Sequence, residues 1–492
     1  VRGWTSKRIG LVAGLALAVG LQLIPVPEGL TREAWLLASL ALMMASWWAT
    51  EAIPIAATAL VPLALFPFFG IAGAGAAASP YASPIVMLLL GGFIIALAIE
   101  RWNLHARIAL NVVAAFGARP AGMILGFMVA SALLSMWISN TATTLMMMPI
   151  ALKVAQEVEK EGVKAAMFAP ALALGVAYAA SVGGIMTPVG TPTNLIGMGY
   201  LQNEFGRTIS FPEWMTIGIP AAVIIIPAMW FILTRLVFPV EAKVESQAGR
   251  AAILEELRGL GRMTAPEARV AAAFAVVAIL WMGQQYVWNP LLGAVSDGLG
   301  LPVTLSVSNM QIAMAGALAM FLIPAGGKQG QGRALMDWSD TANLPWSVVV
   351  LFGGGLSLAA AIEATGLAAW VGSHLAGVAG LPLPLVVLIL ALIVVFLTEL
   401  TSNVATVSAF LPVLGALAVE AGVPPEQLIV PVALSASCAF MLPVATAPNA
   451  IVYATGAASM SQMIKAGFRL NLMAAPIIAL ISSLIAPMVF PG

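Results

Sequence analysis

Ser139 and Asn140 are followed by Ala142, Thr143 and Pro149, and the same types recur at the same spacing as Ser402, Asn403, Ala405, Thr406 and Pro412. Both clusters interrupt long apolar sequence, in "ISNTATTLMMMP" (Ile138 to Pro149) and "TSNVATVSAFLP" (Thr401 to Pro412). Hydroxyl and amide side chains offer donors and acceptors without charge, and a chain that turns there frees backbone N–H and C=O groups as well. A second pair of interruptions follows, "PVGTPTN" (Pro188 to Asn194) and "PVATAPN" (Pro443 to Asn449), where Pro and Gly break a helix. The chemistry open to such groups is binding. Carbonyl and hydroxyl oxygens suit a hard cation such as Na⁺, by the logic that gives Ca²⁺ and Mg²⁺ oxygen ligands. Broken-helix N-termini, with free N–H groups and the positive end of the helix dipole, suit a carboxylate or another oxyanion. Structural turns are the plain alternative, because Ser and Asn also cap helices.

The elements that must hold these clusters are membrane helices. The chain has 492 residues, 61% hydrophobic and 9% charged, whereas a soluble domain carries about a quarter charged residues. Apolar runs long enough to cross roughly 30 Å of hydrocarbon recur from end to end, so the fold class is an all-α polytopic membrane protein and not a barrel of short alternating strands. Zero net charge argues against nucleic acid as a partner. One cysteine, Cys438, and two histidines, His105 and His374, exclude a disulfide framework and a cysteine-rich metal site. Neither histidine lies near a polar tip, no HExxH occurs and Asp is almost absent from the spans, so an intramembrane hydrolase has nothing to work with. The first apolar run, Ile9 to Ile24, lacks a convincing small-x-small cleavage site and reads as the first membrane helix.

The basic residues set the topology. With the N-terminus cytoplasmic and spans near 9–26, 34–50, 54–69, 84–100, 166–200, 215–235, 268–288, 309–325, 345–364, 428–457 and 468–490, all Lys and Arg but Arg32 and Arg207 fall inside. The stretches 119–152 and 382–420 are too interrupted to be single spans and are expected to dip in and return as hairpins. Glu241 to Arg269 becomes a cytoplasmic linker, a solvated connector with a surface helix at "ILEELRGLGR".

A shift of 263 residues aligns the two tips, and it also aligns Gly91-Gly92 with Gly354-Gly355 and Ala98-Ile99-Glu100 with Ala361-Ile362-Glu363. The breaks align at a shift of 255. The chain is therefore duplicated, and its halves are inverted, since 84–100 runs outside to inside and 345–364 the other way. The tips then enter from opposite faces and meet near the midplane, which fits alternating access better than a continuous pore. No Lys or Arg lies between Arg119 and Lys153, between Lys164 and Arg207, or between Arg333 and Lys465. A dianion bound there would be only partly offset by helix ends of about half a charge each, and bound cations would remove the deficit. Coupling to a cation gradient follows from that arithmetic if the substrate is an anion.

The two SNT-type tips, the Gly-Thr-Pro-x-Asn break and "WWATEAIP" (Trp47 to Pro54), in this order, resemble the divalent anion/sodium symporter family over about Leu40 to Gly456. The resemblance implies a homodimeric elevator transporter in the plasma (inner) membrane, with a scaffold and a mobile transport domain carrying both hairpins. It implies import of a C4-dicarboxylate such as succinate, malate or fumarate, coupled to two or more Na⁺. A sodium-independent exchanger of the same fold, or a carrier of sulfate, citrate or 2-oxoglutarate, is the alternative. One sodium site would use Ser135, Ser139, Asn140 and the carbonyl of Gly190, and the other Thr398, Ser402, Asn403 and the carbonyl of Ala445. Substrate would meet Ser139, Asn140 and Thr141 from one tip and Ser402 and Asn403 from the other, with Thr191 and Thr446 nearby. The expected organisation is scaffold helices at 1–83, a first repeat unit at 84–210 with its hairpin at 119–152, a sixth span at 211–240, the linker at 241–269, second-half scaffold helices at 270–344, a second repeat unit at 345–458 with its hairpin at 382–420, and a final span at 459–492. The family's usual Thr is replaced by Val404 in the second tip, and the second break has Ala445 and Ala447 where the first has Gly190 and Pro192.

Other polar and aromatic residues have plainer readings. Glu399, close to the second tip, is expected to support a cation site indirectly. Glu100 and Glu363 read as interfacial anchors, as does His105, and Trp47-Trp48 with Glu51 as an interface belt. The triplet Met146 to Met148 reads as packing.

Overall fold

The computed structural model describes residues 6–161, 165–240, 245–328, 330–374, 377 and 380–490. Seven helical stretches among them are long and apolar enough to cross a membrane. Of the shorter apolar helices, Pro120–Ser135, Leu383–Leu397 and Glu426–Ser435 end where a polar tip or break cuts them. The first hairpin is Pro120–Ser135 and Asn140–Lys160, and the second is Leu383–Leu397 and Asn403–Ala421. Each turns at its Ser-Asn pair, with Ser139 and Ser402 as N-caps in extended conformation. The first broken helix runs Ala165–Gly184 and restarts at Pro192–Phe205, and the second runs Glu426–Ser435 and restarts at Ala447–Thr455. Both restarts carry Pro in their first turn, where no N–H is missed.

The repeated glycines have a packing reason. A Cβ on Gly91 would stand 2.8 Å from the backbone of Ala313, so Pro84–Arg101 lies directly on Asn309–Leu322. In the second half, Gly354 lets Trp346–Ala364 close on the backbone of Ala59. The duplication extends to stretches outside the expected spans. Leu104–Ala115 follows the first of these helices, and Leu367–His374 follows its partner.

The structure corrects several expectations. The all-α class holds, and to it the structure adds one short strand pair, Pro324–Gly326 antiparallel with Gly330–Ala334. Gly326 and Gly327, at φ 71° and 67°, begin the turn that joins them. The helix expected at 268–288 starts at Ala265 and continues through Gln284–Trp288 to Gly298. Trp48 is buried, and its indole donates to Ile55 O at 3.2 Å, while Trp47 reaches Leu11 O at 3.3 Å. "WWATEAIP" is thus a packed corner with Glu51 in the left-handed region at φ 47°, not an interface belt. His105, on Leu104–Ala115, is buried, with Nδ1 3.3 Å from Ile99 O.

The linker is more than a solvated connector. Residues 241–244 of it lie outside the described residues. Its helix Gln247–Gly259 buries Ala252 and Ile253. It is tied to the first hairpin by Lys153 Nζ on Glu256 at 2.7 Å and by Glu161 accepting Ala248 N–H at 3.0 Å. Past its end, Arg107 forms an ion pair with buried Glu267 and donates to Gly261 O at 3.0 Å. Arg107→Met would leave that carboxylate buried without its cation. The expected result is a loss of about 3 kcal/mol, read as a lowered midpoint of thermal unfolding in detergent.

Candidate functional site

The two tips and the two breaks meet around one cavity of about 940 Å³. Ser139, Asn140, Thr141, Gly190 and Thr191 line it from the first half, and Ser402, Asn403, Ala445 and Thr446 from the second. Phe93, Leu97 and Trp137 supply apolar wall, and the cavity extends to Glu100, Glu51 and Lys7. Ser135 and Thr398 do not line it. They are fully buried behind the tips, where each holds its own tip asparagine: Ser135 Oγ donates to Asn140 Oδ1 at 2.5 Å and Thr398 Oγ1 to Asn403 Oδ1 at 2.6 Å. The same bond is thus made twice, once in each half.

The break asparagines are also duplicated in role. Asn194 Nδ2 donates to Gly184 O at 2.9 Å and Thr187 O at 2.8 Å, and Asn449 Nδ2 donates to Ala439 O at 3.1 Å and Leu442 O at 3.0 Å. Both side chains are fully buried. By taking up the first carbonyls of each loop they fix the course of the chain towards Gly190 and Ala445. A glycine on the following membrane helix lets backbone approach backbone behind each loop, Gly218 against Ile185 O and Gly467 against Phe440 O. Within the first loop itself a further glycine has no room for a side chain. A Cβ on Gly190 would stand 2.5 Å from Gly184 O and 3.0 Å from Ser135 O. Gly190→Val is therefore expected to push the first loop off its tip and raise the sodium concentration for half-maximal uptake at least about tenfold, since overpacking of this kind costs roughly 1–3 kcal/mol. Uptake titrated against Na⁺ checks it.

Four helices begin at the cavity, at Asn140, Pro192, Asn403 and Ala447. At about half a positive charge each, four N-termini nearly match a dianion, where two would leave half of it unbalanced. Among the described lining residues the only cationic side chain is Lys7, at the far end and 3.9 Å from Glu51. The arrangement can bind a small anion by dipoles, hydroxyls and amides. The tip asparagines and the Gly190 and Ala445 loops share the same cavity wall.

The second tip presents fewer donors than the first. Val404 lines the cavity opposite the first tip's Thr141. Thr406 does not stand in for it, because it is buried and its hydroxyl shares a 2.5 Å contact with Thr401 Oγ1. Thr401 itself lines the cavity, a position sequence reasoning left unassigned, yet its hydroxyl is spent on Leu397 O at 3.0 Å. Glu399 is buried behind the second tip's own helix end. Its carboxylate accepts the N–H groups of Phe440, Met441 and Leu442 and the amide of Asn471. Glu100 lines the cavity half-buried rather than anchoring an interface, while Glu363 is exposed.

A family model described as the sodium:sulfate symporter transmembrane region matches residues 5–490. The chain is 38% identical over 491 residues to the sodium-dependent dicarboxylate transporter SdcS of Staphylococcus saprophyticus, covering 98% of this chain and 92% of the relative. It is 39% identical over 493 residues, with the same coverage, to the protein of that name from Staphylococcus aureus. Among solved structures, Neisseria gonorrhoeae MtrF, of a class of antimetabolite efflux pumps, superposes with a TM-score of 0.59 at 14% identity, over 96% of this chain and 97% of that one. The Alcanivorax borkumensis YdaH transporter gives 0.57 at 15% identity, over 94% and 99%. At those identities the two structures speak to the fold alone.

Proposed function

The chain belongs to the sodium:sulfate symporter family, and from that premise we propose that it imports a C4-dicarboxylate such as succinate, malate or fumarate across the plasma (inner) membrane, driven by Na⁺. The observation that carries the reading is the single cavity shared by both tips and both breaks, with four helix N-termini and no cationic side chain among them. Relatives named as sodium-dependent dicarboxylate transporters, similar over nearly the whole chain, support both the ion and the substrate class.

In this mechanism one carboxylate of the substrate meets Ser139, Asn140 and Thr141 and the other meets Ser402 and Asn403, with Thr191 and Thr446 alongside. One sodium ion lies among Ser135, Ser139, Asn140 and the Gly190 carbonyl, and a second among Thr398, Ser402, Asn403 and the Ala445 carbonyl. The cations hold each loop against its tip, so anion and cation affinities rise together. The cavity reaches Lys7, Glu51 and Glu100, which the distribution of basic residues puts on the cytoplasmic side, so the form described is open inward. Loading from outside requires the tips and broken helices to move as one body past the scaffold, an elevator step. The working unit is a homodimer in the lipid bilayer.

The test is uptake of radiolabelled succinate into proteoliposomes, with and without an inward Na⁺ gradient, in empty and succinate-loaded vesicles. Sodium-dependent uptake into empty vesicles is expected. Uptake confined to loaded vesicles and indifferent to Na⁺ would make the protein an exchanger.

A further inference from the structure

Glu399 holds the place in the second half that Met136 holds in the first, and the two junctions accept from their loops through different groups, a neutral backbone carbonyl in one and a side-chain carboxylate in the other. In the first, the Met136 carbonyl accepts the Thr187 hydroxyl, and the N–H groups of Ile185 and Met186 bond locally to Val182 O at 3.3 Å and Gly183 O at 3.1 Å. In the second, the Glu399 carboxylate receives the N–H groups of Phe440 at 2.6 Å, Met441 at 2.8 Å and Leu442 at 2.9 Å. It also receives the Asn471 amide at 2.7 Å. Asn471 is oriented by Phe440, whose N–H reaches its Oδ1 at 3.3 Å. All four partners are donors, the set an acceptor-only carboxylate needs, and none carries a charge.

We propose that Glu399 is the positioning residue of the second cation site and makes that site the stronger of the two, so that it fills first. The proposal rests on the sodium-coupled reading above. Glu399 acts twice. It pins the start of the loop that leads to Ala445, joining it through Asn471 to the last helix, Met460–Val489. It also carries a carboxylate with no ion-pair partner among the described residues, on the residue that follows Thr398 in sequence, and the Thr398 hydroxyl holds Asn403 Oδ1. A cation behind the first tip meets only dipoles, because Met136 carries no charge. At the effective dielectric of a protein interior, one such charge several ångströms away changes cation affinity on the order of tenfold to a hundredfold.

The experiment is sodium titration of the purified transporter without substrate, followed by calorimetry or intrinsic tryptophan fluorescence, for wild type, Glu399→Gln and Glu399→Asp. Wild type is expected to show two classes of sodium affinity. Glu399→Gln, which keeps size and loses charge, should weaken the tighter class at least about tenfold, and Glu399→Asp, which keeps charge and loses reach, should weaken it less. A role in loop shape alone predicts the reverse order. That reversal, or an unchanged tighter class in Glu399→Gln, overturns the proposal. Should Glu399→Gln not fold, Ser135→Ala and Thr398→Ala decide it. Ser135→Ala must affect the weaker class and Thr398→Ala the tighter, and the opposite assignment overturns it. A wild-type protein that binds no sodium overturns the sodium-coupled reading itself, an outcome distinct from two equal sites.

Discussion

Asn140→Ala is expected to abolish sodium-dependent uptake, a loss of at least about a hundredfold. The residue stands at the start of a helix, in the cavity wall, with its amide oxygen held by Ser135 at 2.5 Å. In the proposed mechanism that oxygen faces the cation, and the NH₂ group is free for the substrate carboxylate. Removing the side chain deletes both interactions, each worth roughly 1.5–3 kcal/mol when a charged partner is involved. Their sum exceeds the 2.7 kcal/mol or so that a hundredfold loss requires. Asn403→Ala is expected to do the same from the other half, because Thr398 holds it in the same way. Transport assays on protein that retains its wild-type thermal unfolding separate this from misfolding. Substantial uptake by either variant would remove the tip asparagines from the site.

Asn194→Leu and Asn449→Leu carry the second large effect. Leucine fills nearly the same space and offers no donor, so each substitution strands two buried carbonyls, at about 1–3 kcal/mol apiece. Both variants should unfold at lower temperature. They should also lose the rise in unfolding temperature that sodium gives the wild type, since a ligand stabilises only what binds it. Asn194→Leu would act on the loop of Gly190 and Asn449→Leu on that of Ala445. A variant that melts early yet is stabilised by sodium as strongly as wild type would mean that these loops are structural turns with no part in cation binding.

The polar tips, the breaks and the inverted duplication were legible in the sequence because each conflicts with its surroundings: Ser, Asn, Thr, Gly and Pro stand out in apolar stretches. The cavity lining follows from that pattern almost residue by residue. What stayed hidden depends on contacts between distant segments. Glu399 meets Asn471 across the fold, and nothing in the spacing of the two announces it. Gly218 and Gly467 sit in ordinary membrane helices and acquire their role only from the loops they admit. The short helices Leu104–Ala115 and Leu367–His374 fall outside the spans expected from the sequence because each is too short to register as one. Trp47 and Trp48 were misread for a different reason. An indole at the end of a span is as consistent with a lipid interface as with a packed corner, and only the carbonyls of Leu11 and Ile55 decide between them. The strand pair at Pro324–Gly326 and Gly330–Ala334 is short and glycine-rich, with no alternating pattern to reveal it.

The most direct test of a shared anion–cation site is equilibrium binding of succinate to the purified protein over a range of Na⁺ concentrations, for wild type, Asn140→Ala and Asn403→Ala. With a cation behind each tip, succinate affinity should climb steeply with sodium, with a Hill coefficient above one, and either substitution should flatten that dependence. Succinate binding that is tight without sodium, or that stays steeply sodium-dependent in both variants, would contradict it.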